Sequence, residues 1–239
     1  MFDPLLEELH TSIKFHGGKQ IELPKHLAEC SSKKDGKAKI KSWLWDISGF
    51  RRWRVTRLDA GNKLQVLNSV AYPNYHSDKP ILGIDLLCFG SQSKLVAVLD
   101  FQPLVQDPNY FKRYFDGLKV LKNQFPEFNN DEEISLYDPK QYFSPWVLFC
   151  RGSVDQLEPL LPKVFNSFIN CYWNLYCDDN HISSGMDANQ VKKYHISYDK
   201  YSAKKDPAHS LFTGFFGQEW SDSFLQEFLF PLNKCESTL

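Results

Sequence analysis

Asp85 sits in Ile81-Leu82-Gly83-Ile84-Asp85-Leu86-Leu87, an acid in the middle of an apolar run. A carboxylate in such a run has two readings. It can lie on a solvated second face of a strand. Or it can be held in a cleft, where desolvation raises its pKa and keeps it protonated as a proton donor. Asp206 stands in Lys204-Lys205-Asp206-Pro207-Ala208. There it reads as an N-cap ahead of a proline in the first helical turn, and a capping Asp can also face a pocket. The helix dipole is expected to pull its pKa down unless a ligand desolvates it, while burial pushes that of Asp85 up. Asn68, in Leu64-Gln65-Val66-Leu67-Asn68-Ser69-Val70, is polar within another apolar strand and shares a face with Val66 and Val70. It reads either as a satisfied buried amide or as a ligand contact. Phe50-Arg51-Arg52-Trp53-Arg54-Val55-Thr56-Arg57 interleaves cations with aromatics. Such a strand can be a solvated face, bind phosphate, RNA or the carboxylates of a small ligand, or dock an acidic protein.

Other chemistry is not signalled. No G-x-G-x-x-G follows a strand, and there is no G-x-x-x-x-G-K-[ST], H-E-x-x-H or G-x-S-x-G. The seven histidines are scattered without a metal spacing, so no metal site is expected. An enzyme built on this chain must draw its chemistry from the substrate or from an outside partner. The formal net charge of −1 over 239 residues argues against nucleic-acid binding through the overall field. Aromatic residues make up 15% of the chain, which suits an aromatic core or a pocket for a large flat ligand. Cys30, Cys88, Cys150, Cys171, Cys177 and Cys235 form no C-x-x-C pair and read as reduced thiols of a cytoplasmic protein. The first residues have neither the basic nor the apolar region of a signal peptide, and no apolar run approaches the roughly 20 residues of a membrane span.

The elements that must position these residues are legible from periodicity. Leu5, Leu6, Leu9 and Ile13 predict a helix over 4–15. Residues 16–42, with Lys33-Lys34-Asp35-Gly36-Lys37, read as a surface loop. β-like runs cover 43–58, 63–72, 81–90 and 94–102. Their connectors are too short for crossover helices, which predicts an antiparallel meander. A further strand fits 142–151. Helical spacing covers 108–125. Ser153 with Gln156 has the form of a capping box opening a long helix through Tyr172, with Pro162 as a kink. The last third reads helical from Asp187, with a break near Asp206-Pro207. No linker divides the chain, so one domain over 1–239 is expected: an antiparallel sheet with helices on its faces.

Several segments together carry a resemblance. Ser42-Trp43-Leu44-Trp45-Asp46, Phe50-Arg51-Arg52-Trp53-Arg54, Leu67-Asn68-Ser69-Val70-Ala71-Tyr72-Pro73 and Gly83-Ile84-Asp85-Leu86 do so in the first half. Leu99-Asp100-Phe101-Gln102-Pro103, Lys205-Asp206-Pro207 and Phe228-Leu229-Phe230 continue it. In order and spacing the chain resembles the ferredoxin-dependent bilin reductases over most of its length. The resemblance implies an α/β fold, a three-layer α/β/α sandwich with a central antiparallel sheet. It implies biliverdin IXα between the sheet and the C-terminal helices. It also implies reduced [2Fe–2S] ferredoxin as the external electron donor, with no bound cofactor because the conjugated bilin is itself the acceptor. Asp85 matches the family's central proton-donating aspartate, and Asp206 its second. Asn68 and Thr56 stand where the phycocyanobilin-forming branch has histidine and glutamate. Both departures favour reduction of the C15=C16 methine bridge to 15,16-dihydrobiliverdin, in phycoerythrobilin formation, with Asn68 and Thr56 on the substrate side. Reduction of the A ring and a non-catalytic bilin carrier are the alternatives. The protein is expected to be a monomer whose acidic ferredoxin docks near Arg51, Arg52, Arg54, Lys192 and Lys193. Whether product passes to a second reductase is left open.

Overall fold

The computed structural model describes residues 1–32, 36–130, 142–177, 185–206 and 208–234. Lys33, Lys34, Asp35, Pro207 and Cys235 lie outside them. An antiparallel sheet of eight strands forms the middle layer: β1 (Lys19–Ile21), β2 (Glu29–Ser31), β3 (Lys39–Asp46), β4 (Phe50–Asp59), β5 (Gln65–Pro73), β6 (Ile81–Phe89), β7 (Lys94–Gln102) and β8 (Leu148–Ser153). From β3 to β8 the strands neighbour one another in chain order, the meander that the short connectors demand. β1 and β2 both pair with β3.

Side chains alternate across the sheet, and this sorts the arginines from the tryptophan of β4. Trp53 and Val55 point to one face, which packs on α1 (Asp3–Phe15) and on the helix Leu161–Cys177. Leu5, Leu9 and Ile13 of α1 are buried there, as the spacing predicts. Trp53 stacks on Trp173 with ring centroids 5.0 Å apart, and Phe101 of β7 meets Phe168 at 5.2 Å. Between these come α2 (Pro108–Tyr114) and α3 (Asp116–Gln124), after which Leu161–Cys177 is α4. Arg52, Arg54 and Thr56 point to the opposite face. That face is covered by α5 (Ala188–Lys205), α6 (Ala208–Phe216), α7 (Gln218–Ser223) and the π-helical segment Phe224–Leu229. The layers are therefore α/β/α.

Several boundaries differ from the periodicity reading. The run 43–58 is two strands. Gly49, at φ 83°, turns the chain between them, and Phe50 N–H bonds back to Ile47 C=O at 3.0 Å. The stretch 16–42 holds two three-residue edge strands, too short and too exposed to show alternation. The 108–125 helix breaks at Phe115. Strand β8 begins at Leu148 rather than 142. Ahead of it Asp100 accepts the Ser144 backbone N–H at 2.8 Å and the Ser144 hydroxyl at 2.5 Å, drawing the chain out of the ladder just before Pro145. Ser153 makes no side-chain cap and opens only the single turn Val154–Leu157. Pro162 does not kink a helix; it is the second residue of α4, where its missing N–H costs nothing. The capping box of this half belongs to Asp187 and Gln190 at the start of α5.

Candidate active site

Register assembles the site. Thr56, Asn68, Asp85 and Val98 lie opposite one another on four adjacent strands, so they form one row on the face under the C-terminal helices. Arg54, Val70, Gly83 and Asp100 form the next row. From above, α5 lowers Tyr198, Tyr201 and Ser202, spaced along one helical face that ends at Asp206. Apart from Thr56 and Asp100, these residues line a cleft with Tyr142, Phe143, Gln102 and Phe230. Its cavity volume is about 80 Å³, and it opens partly to solvent.

The polar floor is an ordered chain. Arg54 is buried, donates Nε–H to the Leu229 carbonyl at 3.1 Å and donates Nη1–H to Asn68 Oδ1 at 2.5 Å. Arginine has only donors, so this contact fixes which end of the Asn68 amide is the oxygen. The amide nitrogen must face the other way, and it donates to Asp85 Oδ1 at 3.1 Å. Asn68 is thus a hydrogen-bonded amide, as one of its readings has it, held between Arg54 and Asp85. Thr56 is brought beside Asn68 by the register but is not among the residues that line the cleft.

Asp85 reaches the cleft with part of its surface and is otherwise enclosed by protein. Burial first, and the nearby Asp206 carboxylate second, raise its pKa to about 7. The Asn68 hydrogen bond and the Arg54 charge pull the other way without prevailing. Asp206 terminates α5, and its Oδ1 accepts the Ala208 N–H at 2.8 Å at the head of α6. It is therefore a cap that also faces the cleft. The expected fall in its pKa does not occur. Burial pushes it up, and that outweighs the lowering by the Ala208 N–H, Arg54 and His209. Two carboxyls of the same cleft are both biased toward the neutral form.

The arginines bind inward to the C-terminal elements, Arg54 wholly buried and Arg51 and Arg52 half-buried. Arg52 donates to the Phe228 carbonyl at 2.6 Å, Arg54 is buried, and Arg51 donates Nε–H to His195 Nδ1 at 3.0 Å while lying over the Tyr72 ring. They clamp the C-terminal segment onto the sheet. Alternating aromatics in the same strand conceal this, since a clamped arginine and a solvated one look alike in sequence. Burial and the Arg51 charge lower His195 to about 3, so it is the neutral partner of that pair. Lys192 and Lys193 of α5 are exposed. Sequence reasoning also missed Tyr198, Tyr201 and Ser202, though their helical spacing back from Asp206 was a usable signal. No comparable signal marks Tyr142 or Phe143, which reach the cleft through the Asp100–Ser144 contact.

Among the described residues no helix is long and apolar enough to cross a membrane, and Cys88, Cys150, Cys171 and Cys177 are free thiols. Known proteins resemble the chain over nearly all of it. A relative from Prochlorococcus marinus (strain NATL1A), named 15,16-dihydrobiliverdin:ferredoxin oxidoreductase, is 60% identical over 237 residues, 98% of each chain. One of the same name from Synechococcus sp. (strain CC9902) is 57% identical over 231 residues, 97% of this chain and 98% of its own. In fold, the crystal structure of tomato phytochromobilin synthase in complex with biliverdin is similar with a TM-score of 0.82. It is 19% identical, and the match covers 98% of this chain and 84% of that one. A family model described as ferredoxin-dependent bilin reductase matches residues 6–231. With that span and those identities, the chain belongs to the ferredoxin-dependent bilin reductase family.

Proposed function

We propose that this chain reduces the C15=C16 methine bridge of biliverdin IXα to 15,16-dihydrobiliverdin, as a single domain working on a bilin held in the cleft between sheet and C-terminal helices. Two electrons arrive one at a time from reduced [2Fe–2S] ferredoxin, and two protons complete the addition across the double bond. An electron entering the conjugated bilin raises its basicity, so a neutral acid nearby can protonate the resulting radical. Asp85 is the main donor in this reading and Asp206 assists, by positioning the bilin or relaying the second proton. Asn68 acts on the substrate side through Asp85. Thr56, one strand further out, supplies a small neutral neighbour where a glutamate would bring a second charge.

The observation that carries the reading is the Asp85–Asp206 pair in one cleft, with Asp85 raised to about 7. A carboxyl with an ordinary pKa near 4 would be ionised there and could not donate. The choice of bond is supported by the name shared by relatives at 57–60% identity over nearly full length. The test is anaerobic incubation with biliverdin, ferredoxin and a reducing system, followed by chromatography and absorption spectra of the product. 15,16-Dihydrobiliverdin supports the proposal. An A-ring-reduced product overturns the regiochemistry, and tight binding without turnover makes the protein a carrier.

A further inference from the structure

Among the described residues, one buried polar side-chain atom of the cleft lining has no hydrogen-bond partner: Gln102 Oε1. The other amide in the lining has a partner at each end, since Asn68 accepts a hydrogen bond from Arg54 and donates one to Asp85. Asp206 spends an oxygen on Ala208, and the Tyr142 hydroxyl pairs with Ser197 Oγ at 2.8 Å. Leaving a buried acceptor unpartnered is costly, so it calls for a function. The backbone around it is shaped for the amide. Gln102 lies flat over Gly83, and a Cβ built on Gly83 would stand 2.8 Å from the Gln102 Cδ and 3.0 Å from both Oε1 and Nε2. Any other residue at 83 would push the amide away. Rotation about the terminal torsion of Gln is soft, so the amide can turn its C=O and N–H edge to an occupant.

From this we infer that Gln102 is the residue that recognises a cyclic amide of the substrate, pairing its C=O and N–H with the N–H and C=O of the ring. The inference rests on the bilin reading above, because a bilin ends in lactam rings at both extremities and each presents that complementary edge. Gly83 is then a positioning residue for Gln102.

The test is a visible-absorption titration of the whole protein with biliverdin IXα at pH 6 and pH 8, with circular dichroism and melting temperature recorded for each variant. Gln102→Leu keeps bulk and removes both hydrogen bonds; affinity is expected to fall about tenfold or more. Gln102→Glu offers the same edge only while protonated, and it sits beside the carboxyls of Asp85 and Asp206. It is expected to bind nearly as well as wild type at pH 6 and much more weakly at pH 8, relative to wild type at the same pH. Gly83→Ala is expected to weaken binding in the wild type and to have little effect in a Gln102→Ala background. A Gln102→Leu protein that binds as tightly as wild type, or a Gln102→Glu protein indifferent to pH, overturns the assignment while leaving the bilin reading intact. If Gln102→Leu does not fold, the pH comparison within Gln102→Glu decides. A wild-type protein that gives no spectral change overturns the bilin reading and this assignment together.

Discussion

Replacing Asp85 by Asn keeps the shape of the carboxyl and removes the acid, so its consequence can be worked from the structure. With a pKa of about 7, half of the Asp85 side chains are neutral at pH 7. A carboxyl at the ordinary ~4 would be neutral about one time in a thousand, so the fold raises the supply of acid roughly 500-fold. Above pH 7 that supply falls about tenfold per unit, to roughly 1% at pH 9. Wild-type turnover limited by this proton should therefore decline about 50-fold from pH 7 to pH 9. Asp85→Asn should lose about 10²–10⁴-fold in turnover and keep biliverdin binding. It should stall after the first electron, with a bilin radical visible by electron paramagnetic resonance. The assay is anaerobic single turnover against pH, with spectra recorded through the reaction. The reasoning is refuted if Asp85→Asn forms product at the wild-type rate while Asp206→Asn is inactive, or if wild-type turnover is flat from pH 6 to 9.

Asp206→Asn removes a charge that helps to raise Asp85, so the alkaline limb of the pH profile should move to lower pH; a limb that stays in place refutes the coupling. Arg54→Met strips the donor from Asn68 and from the Leu229 carbonyl. It should cost about 2–5 kcal/mol in urea unfolding, and, because Arg54 lowers the Asp85 pKa, shift the same limb upward; a loss under 1 kcal/mol contradicts the clamp. Gly49→Ala places a Cβ 1.5 Å from the Tyr176 hydroxyl at φ 83°. About 1–3 kcal/mol of destabilisation should follow, read as a lower melting temperature. Lys192→Glu/Lys193→Glu should slow ferredoxin-driven turnover several-fold at low salt and little at high salt, without changing biliverdin affinity; equal slowing at both salts would rule out electrostatic steering through α5.

Periodicity made the sheet legible because each central strand is long enough to alternate. Trp53 and Val55 against Arg52 and Arg54 is a pattern that any register preserves. The edge strands at 19–21 and 29–31 are three residues each and exposed, so nothing in their composition separates them from loop. Asp85 was legible as an acid out of place on an apolar strand. Its neighbours were not, because only pairing brings Asn68 and Arg54 to it from 17 and 31 positions away. The direction of the Asp206 shift was misjudged for a related reason. The helix terminus is visible in sequence, but the packing of α5 over the sheet, which buries it, is not.

The alternation of β4 through β7 has a bearing on how such a protein can be varied. Positions 53, 55, 67, 69, 82, 84, 86, 99 and 101 bear the hydrophobic middle, while 54, 56, 68, 70, 83, 85, 98 and 102 bear the cleft face. The two sets interleave along the chain yet are separated in space by the thickness of one sheet. A library confined to the second set can search for new selectivity with its losses of fold held mainly to Arg54. A single-residue insertion within any of these strands does the opposite. It exchanges the two sets at once, so it should abolish folding and catalysis together and yield no intermediate phenotype.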